Sequence, residues 1–158
     1  MFRKLNRVKQ ELGKDECIKI LKEELRGVLS LNGNDGYPYG MPMNHFYVEE
    51  ENRLYFHGGK VGYKIDCINK NNKCSYCVIN SGKKRDNHWS LIFNSVIVFG
   101  KIYFVEDIKE IERISKLLSY KFTSDEKEIE KEIIESINHT KMFYIEIEYM
   151  TGKKVNER

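Results

Sequence analysis

The stretch His57-Gly58-Gly59-Lys60-Val61-Gly62-Tyr63-Lys64 holds residue types suited to an anion. Glycines let a backbone approach a ligand closely and leave its N–H groups uncovered. A helix starting after such a loop turns the positive end of its dipole toward the ligand, and Lys60 and Lys64 add full charges. Phosphate is the guest that fits. The spacing is not that of a triphosphate-binding loop, because no Gly-Lys-Ser/Thr follows. Nor is it a dinucleotide fingerprint, because Gly58-x-x-x-Gly62 has the wrong interval and no strand–helix–strand unit surrounds it. A glycine-rich connector with solvated lysines accounts for the same residues, and spacing alone leaves both readings open. His57, at the end of Leu54-Tyr55-Phe56, is either a structural histidine or a proton donor titrating near neutrality.

Other chemistry-bearing residues read as structural. Cys74 and Cys77 fall on a predicted strand, where positions i and i+3 face opposite sides, so they close neither a zinc site nor a disulfide, and no metal is expected. Cys17 and Cys67 lie on predicted helices as small core residues. His88 and His139 have no partner pattern. The tyrosines alternate with aliphatic residues, which points to core or edge packing rather than to base stacking.

The elements that must position the glycine-rich loop follow from periodicity. Asp15 to Arg26 places Ile18, Leu21 and Leu25 at helical spacing, with Gly27 as its stop. Val28 to Leu31, Tyr37 to Val48 and Leu54 to His57, separated by Gly33-Asn34-Asp35-Gly36 and by Glu49 to Asn52, predict a meander of three strands. A short helix follows over Tyr63 to Asn71, then a strand over Cys74 to Asn80 and a polar connection over Ser81 to Asn87. Ser90 to Val105 predicts one bent strand, or two joined at Gly100. Asp107 is placed to cap a helix carrying Ile111, Ile114 and Leu118, and a second helix carries Ile129, Ile133 and Ile137. Both are expected on one face of the sheet. A final strand alternates Met142, Tyr144, Glu146 and Glu148 with Phe143, Ile145, Ile147 and Tyr149. About six strands with flanking helices predict an α+β, mainly β fold: an antiparallel barrel in a single domain spanning residues 1–158.

Composition narrows the classes. With 158 residues, 41% apolar and 32% charged, the chain can bury one core and sits far from disordered composition. The 27 basic and 24 acidic residues are mixed along the length, which argues against a nucleic-acid partner. No apolar run approaches the roughly 18 residues of a membrane span. The basic start MFRKLNRVKQ leads into no apolar leader, so a reducing cytoplasmic setting is expected.

Order and spacing of several motifs together resemble the nitroimidazole-resistance branch of the pyridoxamine 5′-phosphate oxidase-like proteins. They are Tyr55-Phe56-His57-Gly58-Gly59 followed by Gly62-Tyr63-Lys64; Gly33, Asp35, Gly36, Pro38, Tyr39 and Pro42; Asn72, Cys74, Cys77 and Val78; Ser95, Val96 and Gly100; and Met150-Thr151-Gly152-Lys153. The similarity runs from about Met1 to Lys154. The resemblance implies an FMN-binding split β-barrel, a homodimer holding the flavin at the subunit interface, with FAD as the alternative flavin and haem a less favoured ligand. It implies a flavin ring against Met43 and Asn44, phosphate at Gly59, Lys60, Gly62 and Lys64 with Gly58 and Val61 in the same loop, and Trp89, Ser95 and Lys153 approaching from the partner. His57 would be the catalytic proton donor. The implied activity is reduction of a nitroaromatic or similar small electrophile. A non-catalytic flavin- or haem-binding module for storage, sensing or stress response is the alternative, with His57 or His139 as a haem ligand. No basic and aromatic cluster matches a phosphorylated vitamin B6 site.

Overall fold

The structure, a computed structural model, describes residues 1–84, 86, 87 and 89–156; Arg85 and His88 lie outside the described residues. A 3-10 turn, Val8–Gln10, precedes helix α1, Lys14–Glu23. Cys17, Ile18, Ile20 and Leu21 bury one face of α1, and the Glu16 carboxylate accepts the Gly13 N–H at its start, at 3.0 Å. The helix ends earlier than its periodicity predicts. Leu25 is exposed, and Arg26 and Gly27 already belong to β1, Arg26–Asn32. A Cβ on Gly27 would lie 2.4 Å from the Cys77 carbonyl oxygen and 2.7 Å from the Tyr76 ring, so this glycine serves close strand packing and not a helix stop.

The remaining strands are β2, Pro38–Asn44; β3, Phe46–Val48; β4, Arg53–Gly59; β5, Lys73–Ile79; β6, Lys83–Lys84; β7, Leu91–Phe104; and β8, Thr140–Asn156. They make one eight-stranded antiparallel sheet in the order β2-β1-β5-β7-β8-β4-β3, with β6 on β7. The strand count exceeds the expected six because the run from Tyr37 to Val48 breaks at His45 and because β6 is a two-residue piece in a polar connection. The expected meander is also rearranged: β4 lies beside β8, not β2. The sheet curls so that β2 approaches β4 without ladder pairing, which leaves the barrel split there.

His45 occupies that split. Its buried ring donates from Nε2 to the Leu21 carbonyl at 2.7 Å, and Nδ1 lies 2.9 Å from the Tyr76 hydroxyl. Turned inward at the end of one edge strand, it sends the chain across to the other edge.

β7 is a single strand bent by a bulge between Phe99 and Gly100. A Cβ on Gly100 would meet the Glu146 carbonyl oxygen at 2.1 Å. Leu29, Leu54, Phe56, Tyr76, Val78, Val96, Val98, Phe143 and Ile145 fill the barrel.

Helices α3, Ile108–Ser119, and α4, Glu126–Ser136, form a hairpin capped by Asp107 and Asp125. Together with Val48, Tyr55, Val105 and Met142, Ile114 of this hairpin builds a second, smaller core on the outer face of β3, β4 and the start of β8. Helix α2, Tyr63–Lys70, lies between β4 and β5. Among the described residues no helix is long and apolar enough to cross a membrane.

Candidate functional site

β4 is paired with β8 to its end, His57 with Met142, Gly58 with Lys141 and Gly59 with Thr140. On its other edge β3 reaches only from Arg53 to Tyr55. From Phe56 onward that edge has no ladder partner among the described residues; Phe56 itself is buried, and the stretch from His57 to Gly59 is the part within reach of a ligand. Strand alternation then divides the side chains. Leu54 and Phe56 face the barrel core together with Gly58, while Tyr55 and His57 face the α3–α4 hairpin.

On the core side the missing side chain of Gly58 makes room for Lys64. A Cβ there would lie 2.3 Å from Lys64 Nζ. The half-buried ammonium sits 5.1 Å from the centre of the Phe143 ring, and no carboxylate among the described residues pairs with it. Burial holds its pKa below the usual lysine range. An ammonium partly removed from water and lacking a counter-charge favours an arriving anion. The loop backbone supports this. Gly62 precedes α2 with φ +122°, a conformation suited to glycine; no side chain caps the helix, and since the Ile65 and Asp66 N–H groups donate to the Gly62 carbonyl, those of Tyr63 and Lys64 are the ones left for a ligand. Lys60 and Val61 are exposed beside them. The loop is anchored through Tyr63, whose hydroxyl accepts the Asn34 N–H at 2.8 Å and donates to Asp35 at 3.2 Å, tying it to the β1–β2 turn. These features fit a phosphate-bearing cofactor.

On the opposite face, His57 and Asn44 open into a cavity of about 280 Å³ whose far wall is the α3–α4 hairpin. Leu118 and Ile129 form its buried floor, Phe122 stands at the rim, and Glu128 and Glu132 line the α4 side. Partial loss of water and the nearby Lys64 charge lower the His57 pKa below that of free imidazole, opposed by Glu132. Asn44 Oδ1 accepts from Arg26 Nε at 2.7 Å, which orients the amide so that its N–H groups can donate to a ligand.

Two groups hold this geometry from behind. Burial and Lys121 pull the His45 pKa down to about 4, so its ring is neutral near pH 7. The Tyr76 hydroxyl, 2.9 Å from His45 Nδ1, also lies 2.7 Å from the Met43 carbonyl. Lys121, in the turn between α3 and α4, donates to the Glu24 carbonyl at 2.7 Å and the His45 carbonyl at 3.0 Å. Burial lowers its pKa to about 8.

The fold thus brings Asn44, His57, Gly58, Gly59, Lys60, Val61, Gly62 and Lys64 to one end of β4. Met43 packs its side chain against the barrel core, and its carbonyl accepts from the Tyr76 hydroxyl at 2.7 Å. Trp89, Ser95 and Lys153 lie elsewhere. Ser95 pairs with Lys153 near the far end of the β7–β8 ribbon, eleven residues of β8 beyond Met142, or about 36 Å of strand. Trp89 is 74% exposed. No signal in the sequence picks out Glu128, Glu132, Phe122 and Lys121, because nothing local marks which face of a charged helix, or which residues of the turn before it, lie over a strand end. Cys74 is buried and Cys77 half-buried on opposite faces of β5, and no cluster of metal-ligating side chains occurs among the described residues.

No curated protein matches the chain. Solved structures of the same fold include a candidate 5-nitroimidazole antibiotic resistance protein from Bacteroides thetaiotaomicron, with 23% identity, TM-score 0.78, and 92% of this chain and 87% of that one covered. An FAD-binding protein from Mesorhizobium loti shares 23% identity at TM-score 0.71, covering 92% and 97%. An FAD-binding protein from Mycobacterium smegmatis shares 15% at TM-score 0.65, covering 94% and 99%. At such identities the likeness establishes the fold. The family model described as pyridoxamine 5′-phosphate oxidase matches residues 13–154, nearly the whole barrel together with the glycine-rich loop and the helix hairpin, and the chain therefore belongs to the pyridoxamine 5′-phosphate oxidase-like family, which binds flavins.

Proposed function

We propose that this protein is a flavin-dependent reductase of the nitroimidazole-resistance type, acting on a nitroaromatic or similar small electrophile in a reducing cytoplasm. The observation that carries the reading is the unpaired, half-buried Lys64 ammonium over Gly58, ahead of the uncapped α2, with His57 on the other face of the same strand. Gly59, Lys60, Gly62 and Lys64 would hold the phosphate of FMN. The open β4 edge, the Met43 backbone and Asn44 would take its ring. A bound flavin supplies electron transfer from a reduced nicotinamide to the acceptor. The overall change converts reduced nicotinamide, a proton and a nitro compound into oxidised nicotinamide, a nitroso compound and water. His57 delivers that proton, and solvent at its open side restores it.

The same reading makes the protein a homodimer. Val28, Ile79 and Trp89 are 43%, 54% and 74% exposed, an apolar display that a second copy would cover. The partner would then bring its Trp89, Ser95 and Lys153 toward the loop they do not reach within one chain. The absorbance spectrum of purified protein, with mass analysis of what heat releases, tests the cofactor. Released FMN supports the reading and FAD changes only the flavin. Haem, or a colourless protein that takes up neither flavin, overturns it. Elution as a clean monomer with flavin bound overturns the shared site.

A further inference from the structure

We infer that Glu132 sets the charge selectivity of the cavity beside His57, making it a site for small cationic aromatic compounds and a poor one for anionic ones. The inference rests on the proposed reductase site for its location and refines the substrate class.

The cavity is polarised. Lys60 and Lys64 belong to the loop beyond the end of β4, with the Lys64 ammonium on the core side of the strand, and no lysine or arginine among the described residues lines the His57 side. What lines it on α4 is Glu128 and, one turn on, Glu132, neighbours on one helical face. Their charges are not equivalent. Glu128 accepts from Thr123 Oγ1 at 3.3 Å and sits in the first turn of α4, where the helix dipole offsets a negative charge. Glu132 lies beyond that turn and has no ion-pair partner among the described residues. Across the cavity, partial burial and the Lys64 charge lower the His57 pKa, which disfavours its cationic form. The wall is therefore anionic, while Leu118, Ile129 and Phe122 provide an apolar bed and an exposed ring face for an aromatic body. A compound with a flat apolar ring and an ammonium or protonated heterocycle satisfies both features. A phosphorylated or carboxylated compound would bring a second negative charge against Glu132.

The test uses three probes of similar shape, 4-nitrobenzylamine, 4-nitrobenzyl alcohol and 4-nitrophenylacetate. Binding is followed by NMR shifts of the His57 and Phe122 rings, with and without flavin, and reduction is measured as kcat and KM on the flavin-loaded protein. At pH 7 and low salt the amine should bind at least about tenfold tighter than the acetate. Glu132→Gln should bring that ratio near one through KM, and Glu132→Lys should invert it. Glu130→Gln, the same charge change on a residue that does not line the cavity, should leave it as in the wild type. A ratio unaffected by Glu132→Gln, or no binding of any probe at millimolar concentration, overturns the inference. Charge-selective binding without reduction sinks the reductase reading and leaves the selectivity standing. Reduction with equal KM for amine and acetate does the reverse.

Discussion

Gly58→Ala isolates what the glycine in β4 does. Its added Cβ would lie 2.3 Å from Lys64 Nζ and 3.4 Å from Lys64 Cε, with Phe143 next at 3.8 Å. Ordinary contact needs about 3.4 Å, so the ammonium must retreat by roughly 1 Å. That retreat is easy for the fold, since the obstacle is the far end of a flexible side chain and Gly58 sits in a regular ladder opposite Lys141. Stability should stay within about 1 kcal/mol of wild type, because alanine is no worse than glycine in a strand. For an anion the cost is larger. Moving a unit charge from about 4 to 5 Å loses about 0.8 kcal/mol at an effective dielectric near 20, and a weakened charge-assisted hydrogen bond adds about 1.5 kcal/mol. Together these predict about 2 kcal/mol, or roughly thirtyfold weaker FMN binding. Fluorescence-quench titration of FMN measures it, with urea unfolding run in parallel. Lys64→Ala should cost at least as much, and the double variant should cost little more than Lys64→Ala alone, since both act through one ammonium. Wild-type affinity in Gly58→Ala, or fully additive losses, would refute the idea that Gly58 exists to seat Lys64.

His57→Gln should retain flavin while lowering kcat for nitro reduction about a hundredfold or more, measured under steady state with saturating nicotinamide. His45, with its pKa lowered from 6.5 to about 4, makes the unfolded chain the stronger proton binder between those values. Its neutral form contributes stability that is present above pH 6.5 and lost as pH falls through 4, by about 3 kcal/mol in all, which urea midpoints over that range should show. Lys121→Met removes the donor to the Glu24 and His45 carbonyls and should cost about 1–3 kcal/mol of stability, with faster amide exchange in the Tyr120–Asp125 turn.

Much of the local structure is legible in the chain. Alternation predicted the last strand, Asp107 and the Ile111, Ile114 and Leu118 spacing predicted α3, and the resemblance carried by the order and spacing of several motifs from Gly33 to Lys153 pointed to the right family. These features depend on near neighbours, through side-chain period, capping and glycine conformation, and so survive in a linear reading. The boundary at Leu25 and the break at His45 do not. Gly27 looks like a helix stop until Tyr76, far along the chain, is packed against it. His45 looks like one more strand residue until Leu21 and Tyr76 offer its ring nitrogens their partners. The same holds for the site. The sequence by itself determined that a glycine-rich, lysine-bearing loop would follow a strand carrying His57, although the strand runs two residues further, to Gly59. Only the tertiary structure decided that Lys64 and His57 occupy opposite faces of that strand, that Trp89, Ser95 and Lys153 lie at the far end of a long ribbon, and that Glu132 of a late helix stands across from His57. Those facts depend on which strands pair and where a helix hairpin lands, and long-range packing sets both.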